Sequence, residues 1–409
     1  MKPCFFLLRI SIALTTVLGT IGCSDDERVS REARAITSAE RDLAGVVHGN
    51  NLFALGLYDE LRKQESGNVF FSPFSISAAF GMTYAGAKGE TAEQMREVLR
   101  LQVEDDAFHD AFGALMADLA GPKYRGYELS IANRLFGQKD FSFRDEFLAL
   151  AANAYGAPLE PIDFAADPRK AREHVNAWVA EMTRGRIEDL LSENDVTVDT
   201  RLVLANAIYF EAQWAKAFDP ERTYDGMFFV DDDTTVTVPM MSQSQGEFAM
   251  ASNEWVSALE LPYRDDEVAM LVLLPQQFER LEEFERVLTL EMVDELIASL
   301  KPRETTIMLP KFEIAYELPL KDALIAMGMT NVFDEGDFSK IADGIALAHA
   351  THKAFVEVDE QGTKAAAATA GIANLSGGFM VNRPFLFLIR DKLTGSILFL
   401  GRVTNPAAD

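Results

Sequence analysis

The chain has 409 residues, 48% of them hydrophobic and 10% aromatic, which is enough to build a large core and excludes a disordered composition. Its formal net charge of −26 repels phosphate backbones and sulfated sugars, so neither nucleic acid nor a heparin-like chain is an expected partner.

Lys2 and Arg9 make a positive N-terminal segment, and the apolar run 10–22 is too short for a comfortable membrane span. Residues 1–22 therefore read as an export signal. Ile21-Gly22-Cys23, followed by Ser24-Asp25-Asp26, resembles a bacterial lipoprotein cleavage site at which Cys23 becomes lipidated. An ordinary cleaved signal with a stray cysteine is the alternative. The expected location is the bacterial cell envelope, periplasm or surface, or the extracellular medium. The only other cysteine, Cys4, lies inside the leader, so the mature chain is expected to have neither an intramolecular disulfide nor a thiol nucleophile. Residues 23–44 are polar and charged and read as a tether. The remainder, 45–409, has no linker-like interruption and reads as a single domain.

Leu52, Leu55, Leu57, Tyr58 and Leu61 give the stretch 51–64 a helical period. Val69-Phe70-Phe71 is a short apolar run, and Ser72-Pro73 opens a helix over about 73–86 whose residues are apolar or small on every side, the mark of a central, buried helix. Thr91 is expected to cap the next helix, ending near Leu99. Strand-like runs follow at 129–136, 201–210, 236–241, 256–261, 268–274, 305–312, 355–359, 384–390 and 396–402. Helical patterns occupy 107–119, 145–154, 168–183, 281–300 and 318–327. Strands and helices mixed without a regular βαβ rhythm predict the α+β class.

The usual catalytic motifs are missing: no nucleophile elbow, P-loop, dinucleotide fingerprint or zinc-protease helix occurs. Of the five histidines (His48, His109, His174, His349 and His352), His349 and His352 stand three apart, with no acidic or cysteine ligands around them. No metal, no cofactor and no enzymatic activity are expected.

The segment 360–378 is long, small and polar, and sits between good strands, which points to function. If it became a strand, Thr363, Ala365, Ala367, Thr369, Gly371 and Ala373 would share one face. All six are small, as a strand needs if it must slide into a packed sheet. Lys364 would point the other way, with Ala366 and Ala368, and Gly362 offers a hinge with free dihedrals. A loose surface loop or a short Ala-rich helix is the plainer reading.

Here the chain resembles the serpin family. The resemblance rests on the hinge run 359–369, on Asn382-Arg383-Pro384-Phe385-Leu386-Phe387-Leu388-Ile389, on Asn68-Val69-Phe70-Phe71-Ser72-Pro73-Phe74-Ser75-Ile76-Ser77, on Gly86-Ala87-Lys88-Gly89-Glu90-Thr91, and on Leu204-Ala205-Asn206-Ala207-Ile208-Tyr209-Phe210 followed by Trp214. It spans about residues 45–405. It implies three β-sheets, about eight or nine helices and an exposed reactive-centre loop. It also implies a partner, a serine proteinase, which cleaves the loop and is trapped as a covalent acyl-enzyme while the loop inserts into the central sheet. The protein itself would be a monomer with a metastable native state.

Counting from Glu360 sets the reactive bond at Ser376-Gly377, and the family's frequent serine after the cut sets it at Leu375-Ser376. Leu375 suits a chymotrypsin- or subtilisin-like enzyme and Ser376 an elastase-like one, and neither offers the Arg or Lys that a trypsin-like enzyme needs. Glu360, Gly362, Thr363, Ala365, Ala366, Ala367, Ala368 and Thr369 match the insertion hinge. Ser72, Ser75, Asn206 and His352 match the polar cluster where strands part, and Trp214 the aromatic residue where insertion begins. The region 103–119, where some members bind heparin-like chains, holds Glu104, Asp105, Asp106, Asp110 and Asp118 and no Lys or Arg, so no such activator is expected. A non-inhibitory serpin acting as a binding protein, and an inhibitor of cysteine proteinases, are the alternatives.

Overall fold

A computed structural model describes residues 37–120, 127–277, 281–345, 347, 350–363 and 378–408. Its folded unit begins at Ser38. The first half runs α1 (Ser38–Gln64), β1 (Val69–Phe71), α2 (Pro73–Gly86), α3 (Gly89–Val98), α4 (Asp105–Leu119) and β2 (Tyr127–Gln138). It continues through α5 (Asp145–Tyr155), β3 (Leu159–Ile162), α6 (Pro168–Met182) and β4 (Leu202–Gln213). Next come β5 (Tyr224–Phe229), β6 (Thr235–Ser252), β7 (Val256–Pro262), β8 (Val268–Pro275), α7 (Leu281–Val287) and α8 (Leu290–Ala298). The chain closes with β9 (Lys301–Pro310), β10 (Phe312–Pro319), α9 (Leu320–Ala326), β11 (Thr351–Val358), β12 (Gly362–Thr363), β13 (Phe379–Met380), β14 (Phe385–Asp391) and β15 (Ile397–Val403).

The class is α+β. One sheet has six strands in the order β10-β11-β12-β4-β2-β3. The other has nine, β1-β15-β14-β8-β7-β6-β9-β13 with β5 on β6. The pair β6 and β9 runs through two halves of this second sheet and shifts register between Gln243 and Gly246. Among the described residues the strands thus fall into two hydrogen-bonded sheets where three were expected, because β6 and β9 pair on through the second as one ladder.

The central helix α2 forms because Ser72 accepts the Ser75 backbone N–H as N-cap and Pro73 sits at the first turn, where its missing donor costs nothing. It lies in the main core with Phe74, Ile76 and Met82 buried. A second, smaller core sits under α6, where Val175, Trp178 and Val179 pack against Phe136, Ala205 and Ala207. Alternation along β4 thus feeds both cores: Ile208, Phe210 and Ala212 face the first, Ala205 and Ala207 the second.

Several boundaries differ from expectation. The first helix reaches back to Ser38, into the stretch read as tether. Thr91 does not cap: the N-cap of α3 is Lys88, and the Thr91 hydroxyl is buried against Asn331 while accepting the Asp337 backbone N–H at 2.8 Å. The expected helix 281–300 is two, because Thr289 accepts the Met292 N–H and starts α8 afresh. Residues 312–319 form the strand β10, most of it not expected from the sequence, and the helix expected over 318–327 begins only at Leu320.

Candidate functional site

The six-stranded sheet has a slot at its centre. Among the described residues, β4 and β11 share no ladder; both pair instead with β12, which is two residues long. The slot has polar residues at both ends.

At the upper end, β11 runs into a tight turn. The Asp359 carboxylate accepts the N–H groups of Gln361 (2.8 Å) and Gly362 (3.2 Å), and the Asp359 N–H donates to the Gly362 carbonyl at 2.9 Å. The chain then enters the sheet with Gly362 beside Gln213, and Thr363 between Ala212 and Val358. Thr363 is buried, and its hydroxyl is 2.9 Å from that of Tyr263. Tyr263 stacks on Trp214, with centroids 4.6 Å apart and planes within 7°. The Trp214 indole donates to the Asp359 carbonyl and its backbone N–H to that of Gln361, both at 2.9 Å.

Glu360 is the charged anchor of this turn. Its side chain is buried and accepts Thr223 Oγ1 at 2.7 Å and Lys311 Nζ at 2.9 Å. Burial alone would raise its carboxyl, but the bonds from Lys311 and Thr223 outweigh burial and hold it below the usual range. Burial pushes Asp359 the other way, above it.

At the lower end, Ser72 Oγ donates to the Leu398 carbonyl at 2.7 Å and the Ser72 N–H donates to His352 Nε2 at 3.0 Å. Ser75 Oγ meets Asn206 Oδ1, and Asn206 Nδ2 donates to Asn133 Oδ1 at 2.7 Å. Asn133 in turn donates to the Tyr155 carbonyl at 3.0 Å. The network ties α2 to β11, β4, β2 and β15. Burial without a charged partner pushes His352 down to about 3. The ring is neutral, and because Nε2 accepts, Nδ1 carries the proton. A cavity of about 370 Å³ adjoins this network, lined by Ile76, Phe80, Leu204, Asn206, Leu320 and His352 among others.

The structure brings Trp214, Glu360, Gly362 and Thr363 together at one end and Ser72, Ser75, Asn206 and His352 at the other. Ala365, Ala366, Ala367, Ala368, Thr369, Leu375, Ser376 and Gly377 lie outside the described residues, as does Cys23. Description resumes at Gly378, leading into β13, which pairs in parallel with β9. Tyr263, Thr223, Lys311 and Asn133 were not anticipated. They stand far from the hinge in sequence, and nothing local to them marks their role. Asp359 was within reach, since an Asp two residues before a turn amide is a common side-chain cap.

Nothing in this geometry is a catalytic constellation. A family model described as "Serpin (serine protease inhibitor)" matches residues 48–406. The leukocyte elastase inhibitor of Xenopus laevis is 40% identical over 368 residues, covering 87% of this chain and 97% of that one. An uncharacterised serpin-like protein of Thermococcus kodakarensis is 38% identical over 371 residues, covering 88% and 86%. Among solved structures, uncleaved ovalbumin superposes with a TM-score of 0.81 at 32% identity, covering 88% of this chain and all of that one.

Proposed function

The chain belongs to the serpin family, and we propose that it is an irreversible suicide-substrate inhibitor of serine proteinases of the elastase, subtilisin or chymotrypsin kind. The family is one of protease inhibitors, and the chain is not an enzyme. The observation that carries the inhibitory reading is β12: the start of the loop already pairs with both strands flanking the slot.

Extending that register supports the reading. Thr363 pairs with Ala212 and Val358, so an antiparallel continuation sets Ala365 between Phe210 and Val356, and Ala367 between Ile208 and Ala354. Thr369 then falls between Asn206 and His352. Every inward position from Thr363 to Thr369 is small, and in this register the Thr369 hydroxyl would arrive at the polar network, where it could replace hydrogen bonds that parting the strands would break.

In this reading the proteinase serine attacks the carbonyl of Ser376, or of Leu375, and the amine of the following residue leaves. The loop, still esterified to the enzyme, inserts and carries it to the far end of the sheet. Folding free energy stored in the native state drives the trap. Cys23 is the proposed lipid anchor, placing the inhibitor at the bacterial envelope; mass spectrometry of the mature N-terminus tests that.

A non-inhibitory binding role is the competing reading. Thermal unfolding separates the two. A loop-cleaved sample is expected to melt well above the intact protein, because cleavage frees the loop to complete the sheet. Equal melting temperatures would remove insertion, and the inhibitory mechanism with it.

A further inference from the structure

The turn at the upper end of the slot is gathered around Asp359. Its Oδ1 accepts the N–H groups of Gln361 and Gly362, and its own N–H donates to the Gly362 carbonyl. Both backbone groups of Gly362 are thus bonded to Asp359. Trp214 holds the turn from β4, through its indole to the Asp359 carbonyl and its N–H to the Gln361 carbonyl. Gly362 and Thr363 therefore cannot withdraw from the slot without opening this turn.

The second carboxylate oxygen is in a different condition. Asp359 is buried, and among the described residues its Oδ2 has no hydrogen-bond partner. Lys311, the cation of the turn, donates to Glu360 and not to Asp359. The two adjacent acids are therefore unequal: Glu360 has Lys311 and Thr223, whereas Asp359 has two amides on one oxygen. A seated turn keeps the Asp359 charge out of water with half of its acceptor capacity unused, which opposes seating.

Resting on the insertion reading above, we propose that Asp359 is a positioning residue: its cap seats the hinge in the slot, and its ionisation lets the hinge leave. Burial pushes its carboxyl above the ordinary value of 3.8, Glu360 adds to the rise, and the two amides and Lys311 oppose it. The other titratable neighbour, Tyr263, is stacked on Trp214 and kept protonated by burial. An opened turn exposes Asp359 to water and returns it to its ordinary value. The seated turn thus binds the proton more tightly, so acid favours seating and seating weakens as pH rises through the raised value. Protonation removes the unpaired charge and leaves Oδ1 to accept both amides. At neutral pH the cap works against that charge, and the hinge is poised to withdraw.

The test compares the mature chain with its Asp359→Asn and Asp359→Ala variants. Amide exchange at Gln361 and Gly362 is read from about pH 7.5 to about pH 4, where one-proton linkage changes protection by up to about tenfold per pH unit. Rates are corrected for intrinsic exchange, and the β8 amides report global opening. In the parent, protection is expected to rise as pH falls. Asp359→Asn keeps the Oδ1 acceptor without the charge, so it should be protected at every pH. Asp359→Ala loses the cap and should be unprotected at every pH, with several-fold more loop cleaved without trapping. Parent-like protection in Asp359→Ala would overturn the positioning role. A flat profile in the parent, or a pH dependence kept in full by Asp359→Asn, would overturn the role of ionisation. The expected exchange pattern, with no covalent complex formed by any proteinase, would sink the inhibitory reading and leave Asp359 as the seat of the hinge.

Discussion

At Gly362 the backbone runs at φ +155, and the Ala212 carbonyl oxygen stands 1.9 Å from where a Cβ would be. No side chain fits without moving β4 or withdrawing the hinge. Gly362→Ala is therefore expected to expel β12 and to abolish trapping while leaving the loop cleavable. Trp214 offers the readout, because its indole bonds the Asp359 carbonyl in the same turn. An unchanged tryptophan spectrum and unchanged complex yield would contradict the account of the hinge. Two buried histidines give a second expectation. Burial pushes His352 down to about 3 and His109 down to about 4, from an ordinary value of 6.5. Between those values and 6.5 the unfolded chain binds more protons than the folded one. Stability is therefore complete above pH 6.5 and falls with pH below it, by about 1.4 kcal/mol per pH unit for each ring. Denaturant unfolding at about pH 7 and about pH 5 checks this, and equal stabilities would show that both rings are free to protonate in the fold. Gly362 and His352 were legible as site residues because a resemblance marked them. Tyr263 and Lys311 were not, since a stacking partner and a counter-ion contributed from other strands leave no local pattern.

The hinge and the slot act as elements. If β12 extends in its own register, Ala367 comes opposite Ala354 on β11. Antiparallel neighbours are about 4.5–5.5 Å apart at Cα, within reach of a disulfide. The chain's only cysteines are Cys4 and Cys23, both far from this sheet in sequence, so Ala354→Cys/Ala367→Cys is a clean reporter. The disulfide is expected to form after loop cleavage and not before. Its absence from the cleaved protein would show that the loop inserts in another register or not at all. Segments such as α2, β8 and the C-terminal half of α1 could be read from the sequence in place and kind. Other elements could not. Thr289 looks like any helix residue until its side chain is seen to accept the Met292 N–H. β5 carries Met227 and Phe229 on its exposed face, so it lacks the alternation that marks a strand. β10 does alternate, with Phe312, Ile314 and Leu318 buried, and was hidden by being joined to the helical pattern that follows it.

For the whole molecule, the six-stranded sheet is held from both sides of its slot. The main core fastens α2 beneath it, the second core fastens α6 above β2 and β4, and the polar network crosses from β4 to β11 through Ser75, Ser72 and His352. A molecule built this way can stay in a state short of its most stable one, because opening requires several groups to release together. Helix α4 carries Asp105 and Asp106 in its first turn and no basic residue in its last, so we propose no polyanionic activator at this helix. The α+β class and the order of most elements were legible because periodicity is local. The joining of nine strands into one sheet through β6 and β9 was not, because it depends on pairing between strands far apart in sequence. The most direct measurement is incubation of the mature chain with elastase-, subtilisin- and chymotrypsin-like proteinases, followed by denaturing electrophoresis and mass spectrometry of the released peptide. Expected is a covalent complex that survives detergent, with a released fragment beginning at Gly377 or Ser376. Cleavage with full turnover by every such enzyme, and no covalent complex, would contradict inhibition by trapping.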